Sequence, residues 1–191
     1  MTTTPNKSLQ FSPVAISPRA KTVQGKNLTG NPRIVRDLTA AIHSNIQQWN
    51  TLHLNGLSLL KTITSLKTDN SYPEKLKQPC ENLTQVCNKL DNIVEAFGQI
   101  VNQMKSISKL HKSSDHLFST WPVDKFVATA HMIYESYKKE AEVKQIILEN
   151  VAHDHRDAMK MLNLAAWVHQ TQLPDNLNIN LESMLVETKL R

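Results

Sequence analysis

Four glycines serve 191 residues, against an average usage near ~7%. Gly25, Gly30, Gly56 and Gly98 cannot be arranged as G-x-G-x-x-G or G-x-x-x-x-G-K-[ST], which excludes folds whose phosphate loops depend on glycine backbone. Cysteine is scarcer still. Cys80 and Cys87, seven apart on a helix, would lie roughly 10 Å from each other, too far for a disulfide. Neither has the C-x-x-C neighbour of a zinc ribbon. Three Trp, three Tyr and four Phe, mostly at helical-core spacing, make no platform for stacking RNA bases. No run approaches the ~18 apolar residues that cross a bilayer, and Met1 is followed by Thr-Thr-Thr-Pro rather than an apolar leader. These absences predict an intracellular protein in a reducing compartment, with no membrane span.

Catalytic groupings are also missing. His153 and His155 flank Asp154, and His111 and His116 lie in a polar break, yet no H-E-x-x-H or comparable ligand set accompanies them. They read as loop and cap residues. No serine sits in G-x-S-x-G. Cys87 falls on an apolar face, where a free thiol packs as a small hydrophobe. Glu140 and Glu142 are two apart on a helix and do not face each other. The expectation is a protein that is not an enzyme and needs no metal or cofactor.

Charge is present but uneven. Six of the 22 bases and none of the 17 acids fall within residues 1–36, so the whole positive excess belongs to one end. Residues 1–32 are rich in Ser, Thr, Pro, Asn and Lys and lack periodicity; with too little apolar mass to offset ordering entropy, they are expected to be a disordered basic tail. Thr4-Pro5, Ser12-Pro13 and Ser17-Pro18 make Thr4, Ser12 and Ser17 candidate sites for a proline-directed kinase. Modification there would reverse the tail's charge.

Beyond the tail the pattern is helical. Val35, Leu38, Ile42, Trp49, Leu52, Leu59, Ile63 and Leu66 recur at three-four spacing, with Asn45 and Gly56 in the remaining seam positions. Asn45 is a candidate for setting helix register, and Gly56 for a weak point or a close approach. A polar stretch at 68–81 reads as the connection. Leu83, Val86, Leu90, Ile93, Phe97, Ile100, Met104 and Ile107 then alternate over four heptads, with Cys87, Val94 and Val101 widening the stripe. That width suits a bundle better than a two-stranded coiled coil. The expectation is an all-α fold: a long antiparallel hairpin over 33–110, followed by a helical region over 117–191. The hairpin alone would leave its stripe open, which makes those eight residues a candidate interface for a partner helix.

Pro122 is placed to begin a third helix, and Asp154 to cap a fourth that runs through His169 and is apolar nearly all round. That helix is expected to be buried or covered by a partner. Leu181, Met184 and Leu185 form one face of a short terminal segment of the kind that docks on another surface. Trp121, Tyr137 and Trp167 are residues of the type that anchor interfaces.

Phe118-Ser-Thr-Trp-Pro122, Phe126, His131, Tyr137-Lys-Lys-Glu140, Trp167-Val-His-Gln170 and Leu181-Glu-Ser-Met-Leu-Val-Glu-Thr188 resemble the cyclin-dependent kinase 2-interacting protein family. The likeness is strongest over 117–188 and weaker around Trp49; Val168 and Val186 stand where the family tends to leucine. The resemblance implies a non-enzymatic nuclear adaptor in chromosome replication and genome maintenance, with the cytoplasm as a second location. The implied partners are S-phase kinases, origin and ATR checkpoint factors. It also implies a hetero-oligomer with a small helical co-subunit and AAA+ ATPase subunits, at replication forks and in large ribosomal subunit maturation. Trp121, Pro122, Phe126, Tyr137, Trp167, His169, Leu181, Met184 and Leu185 become the candidate docking region. Two alternatives remain: a nucleic-acid binder acting through the tail, and a homodimeric coiled coil.

Overall fold

The computed structural model of the chain describes residues 28–111 and 116–191. Five helices follow in order: α1 (Gly30–Leu66), α2 (Lys77–Leu110), α3 (Val123–Val151), α4 (Asp157–His169) and α5 (Leu177–Glu187). No strand occurs among the described residues. The candidate phosphorylation sites Thr4, Ser12 and Ser17 lie outside them.

Packing pairs identify the architecture. α2 packs along both α1 and α3, while α4 and α5 each bridge α1 and α3 and make no contact with α2. This is the neighbour pattern of an up-down-up-down four-helix bundle whose fourth helix is broken into two pieces. One continuous core runs from Val35 to Leu185, so the hairpin and the C-terminal region close on each other. The terminal segment with Leu181, Met184 and Leu185 docks on this chain's own α1 and α3.

Boundaries follow local chemistry. α1 starts earlier than the apolar periodicity because Pro32 fits the first turn. α2 begins at Lys77, inside the stretch expected to be connection. A 3-10 turn, Glu74–Leu76, feeds it, and Pro79 sits where a missing N–H costs nothing. Pro122 stands at the N-cap of α3 rather than inside it. Asp154 does not cap α4. Its carboxylate accepts from the Arg156 backbone N–H at 2.9 Å and from the Arg156 guanidinium, and Arg156 occupies the cap position.

The buried stripe of α1 differs from the expected one. Its core residues are Val35, Leu38, Thr39, Ile42, Ile46, Trp49, His53, Gly56, Leu60, Ile63 and Thr64. Leu52, Leu59 and Leu66 are only half-buried. The row Thr39, Ile46, His53, Leu60, Lys67, spaced by seven, is buried instead. A helix inside a four-membered bundle has neighbours on two sides, so positions flanking the seam are covered whatever their polarity.

Candidate functional site

The break in the fourth helix gathers part of the candidate docking region, Tyr137, Trp167 and His169. α4 ends at His169, and Gln170 adopts a left-handed conformation with φ 45°. Glycine normally fills that position. Here the Gln170 side chain accepts a hydrogen bond from Trp49 Nε1 at 2.8 Å, which holds the unusual backbone in place. Three residues back, Trp167 is fully buried and lies against Gly56 of α1: a Cβ there would come within 2.2 Å of the indole. Gly56 is therefore a close-approach site. Trp167 Nε1 donates to the His53 carbonyl at 3.0 Å, and the His53 ring stacks on the indole.

Beneath this joint lies a buried ion pair. Lys144 Nζ is 3.1 Å from Glu140 Oε1, both on α3 and both inaccessible to solvent. The ammonium also donates to the Trp167 carbonyl at 3.4 Å and sits 4.1 Å from the indole centroid. It thus meets the negative end of α4, where orphan carbonyls need donors. Glu140 Oε2 accepts from the Gln172 backbone N–H at 3.1 Å; Oε1 rests on the ammonium alone. Burial pushes Glu140 up and Lys144 down, and each opposes the other's shift. Lys144 Nζ is 3.3 Å from His53 Nδ1, and burial with that neighbouring charge lowers His53 to about 4. Histidine is therefore neutral at physiological pH and accepts from the ammonium. Cys87 is buried nearby, its thiol pushed up to about 12 by burial and by Asp91, so it packs and does not react.

A second cluster closes the opposite end. Glu187 accepts from the Trp121 backbone N–H at 2.9 Å, from the Thr120 hydroxyl at 2.9 Å and from the Thr120 backbone N–H. Burial works to raise Glu187, but these donors outweigh it and hold the carboxyl below its usual range. Trp121 packs on Phe126, with ring centroids 5.1 Å apart, and Lys125 lies over the indole. Midway, Tyr137 meets the edge of Trp49 at 4.9 Å and tilts against Phe97 at 5.2 Å.

The eight-residue stripe of α2 does not await a partner. Leu83, Val86, Leu90, Ile93, Phe97, Ile100, Met104 and Ile107 are all buried, on a helix that lies between α1 and α3. An apolar stripe records that a helix is covered; it does not record which chain covers it. In the candidate docking region, Trp121, Phe126, Tyr137, Trp167, Leu181, Met184 and Leu185 are likewise buried, and only Pro122 and His169 are exposed. The structure uses these residues as internal staples in separate parts of one core. Glu140 and His53 were absent from the sequence-derived set. His53 had no signal but heptad position, which its polar side chain conceals; Glu140 was marked only as the end of the Tyr137-Lys-Lys-Glu140 block.

What faces solvent is the outer side of α4. Met161 is 72% exposed, Leu162 57% and Val168 43%, with Ala158 and Ala165 exposed between them. Only Asn163 and Trp167 of that helix are buried. Burial or cover by a partner was expected of this apolar helix; its own chain covers one side and leaves the other exposed. Ile179 and Val186 of α5 are also exposed.

No family model matches the sequence. It is nevertheless similar along most of its length to curated proteins. It is 26% identical over 198 residues to the cyclin-dependent kinase 2-interacting protein of Xenopus laevis, covering 90% of this chain and 96% of that protein. The Homo sapiens and Mus musculus proteins of the same name are each 27% identical over 192 residues, covering 84% of this chain and 91% of theirs.

Proposed function

Since the chain belongs to the cyclin-dependent kinase 2-interacting protein family, we propose that it is a non-enzymatic helical adaptor that binds cyclin-dependent kinase 2 during chromosome replication. The reading is carried by that near end-to-end similarity to proteins named for the interaction. The exposed Met161, Leu162, Val168 face supports it as the place of contact, because contiguous apolar exposure on a soluble bundle marks interaction surfaces. In its finer form the adaptor works in the nucleus and connects S-phase kinases to origin and ATR checkpoint factors. It also serves there as a subunit of an AAA+ ATPase assembly with a small helical co-subunit, in replisome and large ribosomal subunit maintenance.

The test is direct binding of the purified full chain to purified cyclin-dependent kinase 2–cyclin complex. Met161→Glu with Leu162→Lys changes two exposed side chains and leaves the core intact, so stability should hold within about 0.5 kcal/mol. Affinity should fall at least ~10-fold, as expected when an apolar anchor is lost. Unchanged affinity would move the contact off α4, and absence of binding by the wild-type chain would overturn the kinase reading. Deletion of residues 1–27, which include four of the chain's bases, tests the alternative. An adaptor keeps the kinase, whereas a nucleic-acid binder loses a salt-sensitive ligand.

A further inference from the structure

α4 differs from every other helix in how it is held. Of its 13 residues only Asn163 and Trp167 are buried, whereas 11 of the 29 residues of α3 are. It is flanked by non-helical connections at 152–156 and 170–176. The surface beneath it is of an unusual kind. Trp167 rests on Gly56 of α1, with the His53 ring of the same helix stacked on its indole and Lys144 and Glu140 beside it.

Burying two charges costs several kcal/mol per ion, and their mutual attraction offsets this only in part. The pair at 3.1 Å leaves Glu140 Oε1 with a single partner. When α4 lifts, water reaches both ions and His53, and the recovered hydration compensates for the exposure of Trp167. A leucine pair at the same positions would offer no such return. The helix also remains apolar on both sides, with Trp167 and Leu164 inward and Met161 and Leu162 outward. That pattern suits an element with two alternative apolar environments.

We infer that α4 is the releasable element of this bundle, a latch that docks and undocks as a unit between its two connections while α1, α2, α3 and α5 stay assembled. This goes beyond the adaptor reading and is tested without any partner. The experiment is native-state hydrogen exchange on the full chain, resolved by segment, in 0–1 M urea. Backbone amides of α4 should exchange at least ~100-fold faster than those of α2, with little urea dependence, as a small local opening requires. Equal protection of α4 and α2, or a shared steep urea dependence, would overturn the latch. A second arm tests the cause. Glu140→Gln with Lys144→Met removes the charges, keeps an acceptor for the Gln172 N–H and nearly conserves volume, while giving up the long 3.4 Å Lys144 bond to the Trp167 carbonyl. Exchange in α4 should then slow ~10-fold or more relative to α2; unchanged or faster exchange would overturn the assignment of the ion pair as the source of release.

Discussion

Adding one methyl group to Gly56 should destabilise this protein, although the same change in a helix interior is ordinarily favourable. Alanine is better than glycine there by about 1 kcal/mol. At Gly56 the new Cβ would stand 2.2 Å from one indole carbon of Trp167 and 3.0 Å from two others, where carbon contacts prefer about 3.5–4.0 Å. The ring must withdraw by roughly 1.5 Å. It has little freedom to do so: Trp167 has no solvent-exposed surface, its Nε1 is bonded to the His53 carbonyl at 3.0 Å, and Lys144 lies over its face. Overpacking of this kind costs about 1–3 kcal/mol, and the strained indole bond about 1 kcal/mol more. With the propensity gain deducted, the net loss is about 1–3 kcal/mol, or roughly 2–12 °C in Tm for a chain of this size. Gly98 is the control. Its Cβ would meet the half-buried ring of Tyr134 at 3.3 Å, which moves by tenths of an ångström, so Gly98→Ala should be neutral or stabilising by up to ~1 kcal/mol. Urea titration followed by tryptophan fluorescence would compare the two. A Gly56→Ala chain as stable as the wild type would refute the wedge. So would a double-mutant cycle with Trp167→Phe that showed no coupling, since contacting residues couple.

Three further outcomes follow from the same contacts. His53 titrates near 4 in the folded chain because of burial and the Lys144 charge, and near 6.5 when unfolded. The unfolded chain therefore takes up a proton first as pH falls through 6.5, and stability declines until pH 4, by roughly 3 kcal/mol at most. The stability difference between wild type and His53→Leu, from urea melts at pH 7 and pH 4.5, should shrink accordingly; a constant difference would remove His53 as the source. Glu187 is held below its usual range, so its contribution is complete above the ordinary carboxylate value and disappears as pH falls through the folded one. Glu187→Gln should cost about 1–2 kcal/mol at pH 7 and loosen Trp121, read by near-ultraviolet circular dichroism; an unaltered spectrum and midpoint would contradict that role. Leu90→Glu with Ile93→Glu places two charges in a filled core and should unfold the chain, abolishing helical circular dichroism. A folded variant that had lost only partner binding would restore the open-stripe reading.

The helices of this protein were legible because α2 states its period in aliphatic residues, from Leu83 to Ile107. Their number and order could be read from proline positions and polar breaks. The occupant of each face could not. The hairpin stripe was open by inspection, since nothing in a three-four pattern says that α3 folds back, with Tyr137 against Phe97, to close it. The fourth helix, apolar nearly all round, predicted burial or a partner's cover, and this chain covers only the side bearing Asn163 and Trp167. Polar core positions were the hardest. Lys67, Glu140 and Lys144 are almost fully buried, yet each looks like an ordinary surface residue until its helix has neighbours on both flanks. The resemblance blocks were informative in a way they did not advertise. Tyr137 and Gln170 both meet Trp49 of α1, and Glu187 accepts from Thr120 and Trp121 of the Phe118–Pro122 block, so these blocks specify this bundle before they specify any partner.

Because α2 is sandwiched between α1 and α3, the two halves on either side of residues 112–115 act as templates for each other. Cut there, the chain would yield a pair of complementary fragments, each displaying a stripe meant for its mate. Co-expressed, they should reassemble without a covalent link, as split reporters do. Expressed singly, either would adhere to whatever apolar helix it met. Deletion mapping of partners across this junction would then record the appetite of a severed core, and point substitutions on the intact chain are the sounder way to locate a true contact.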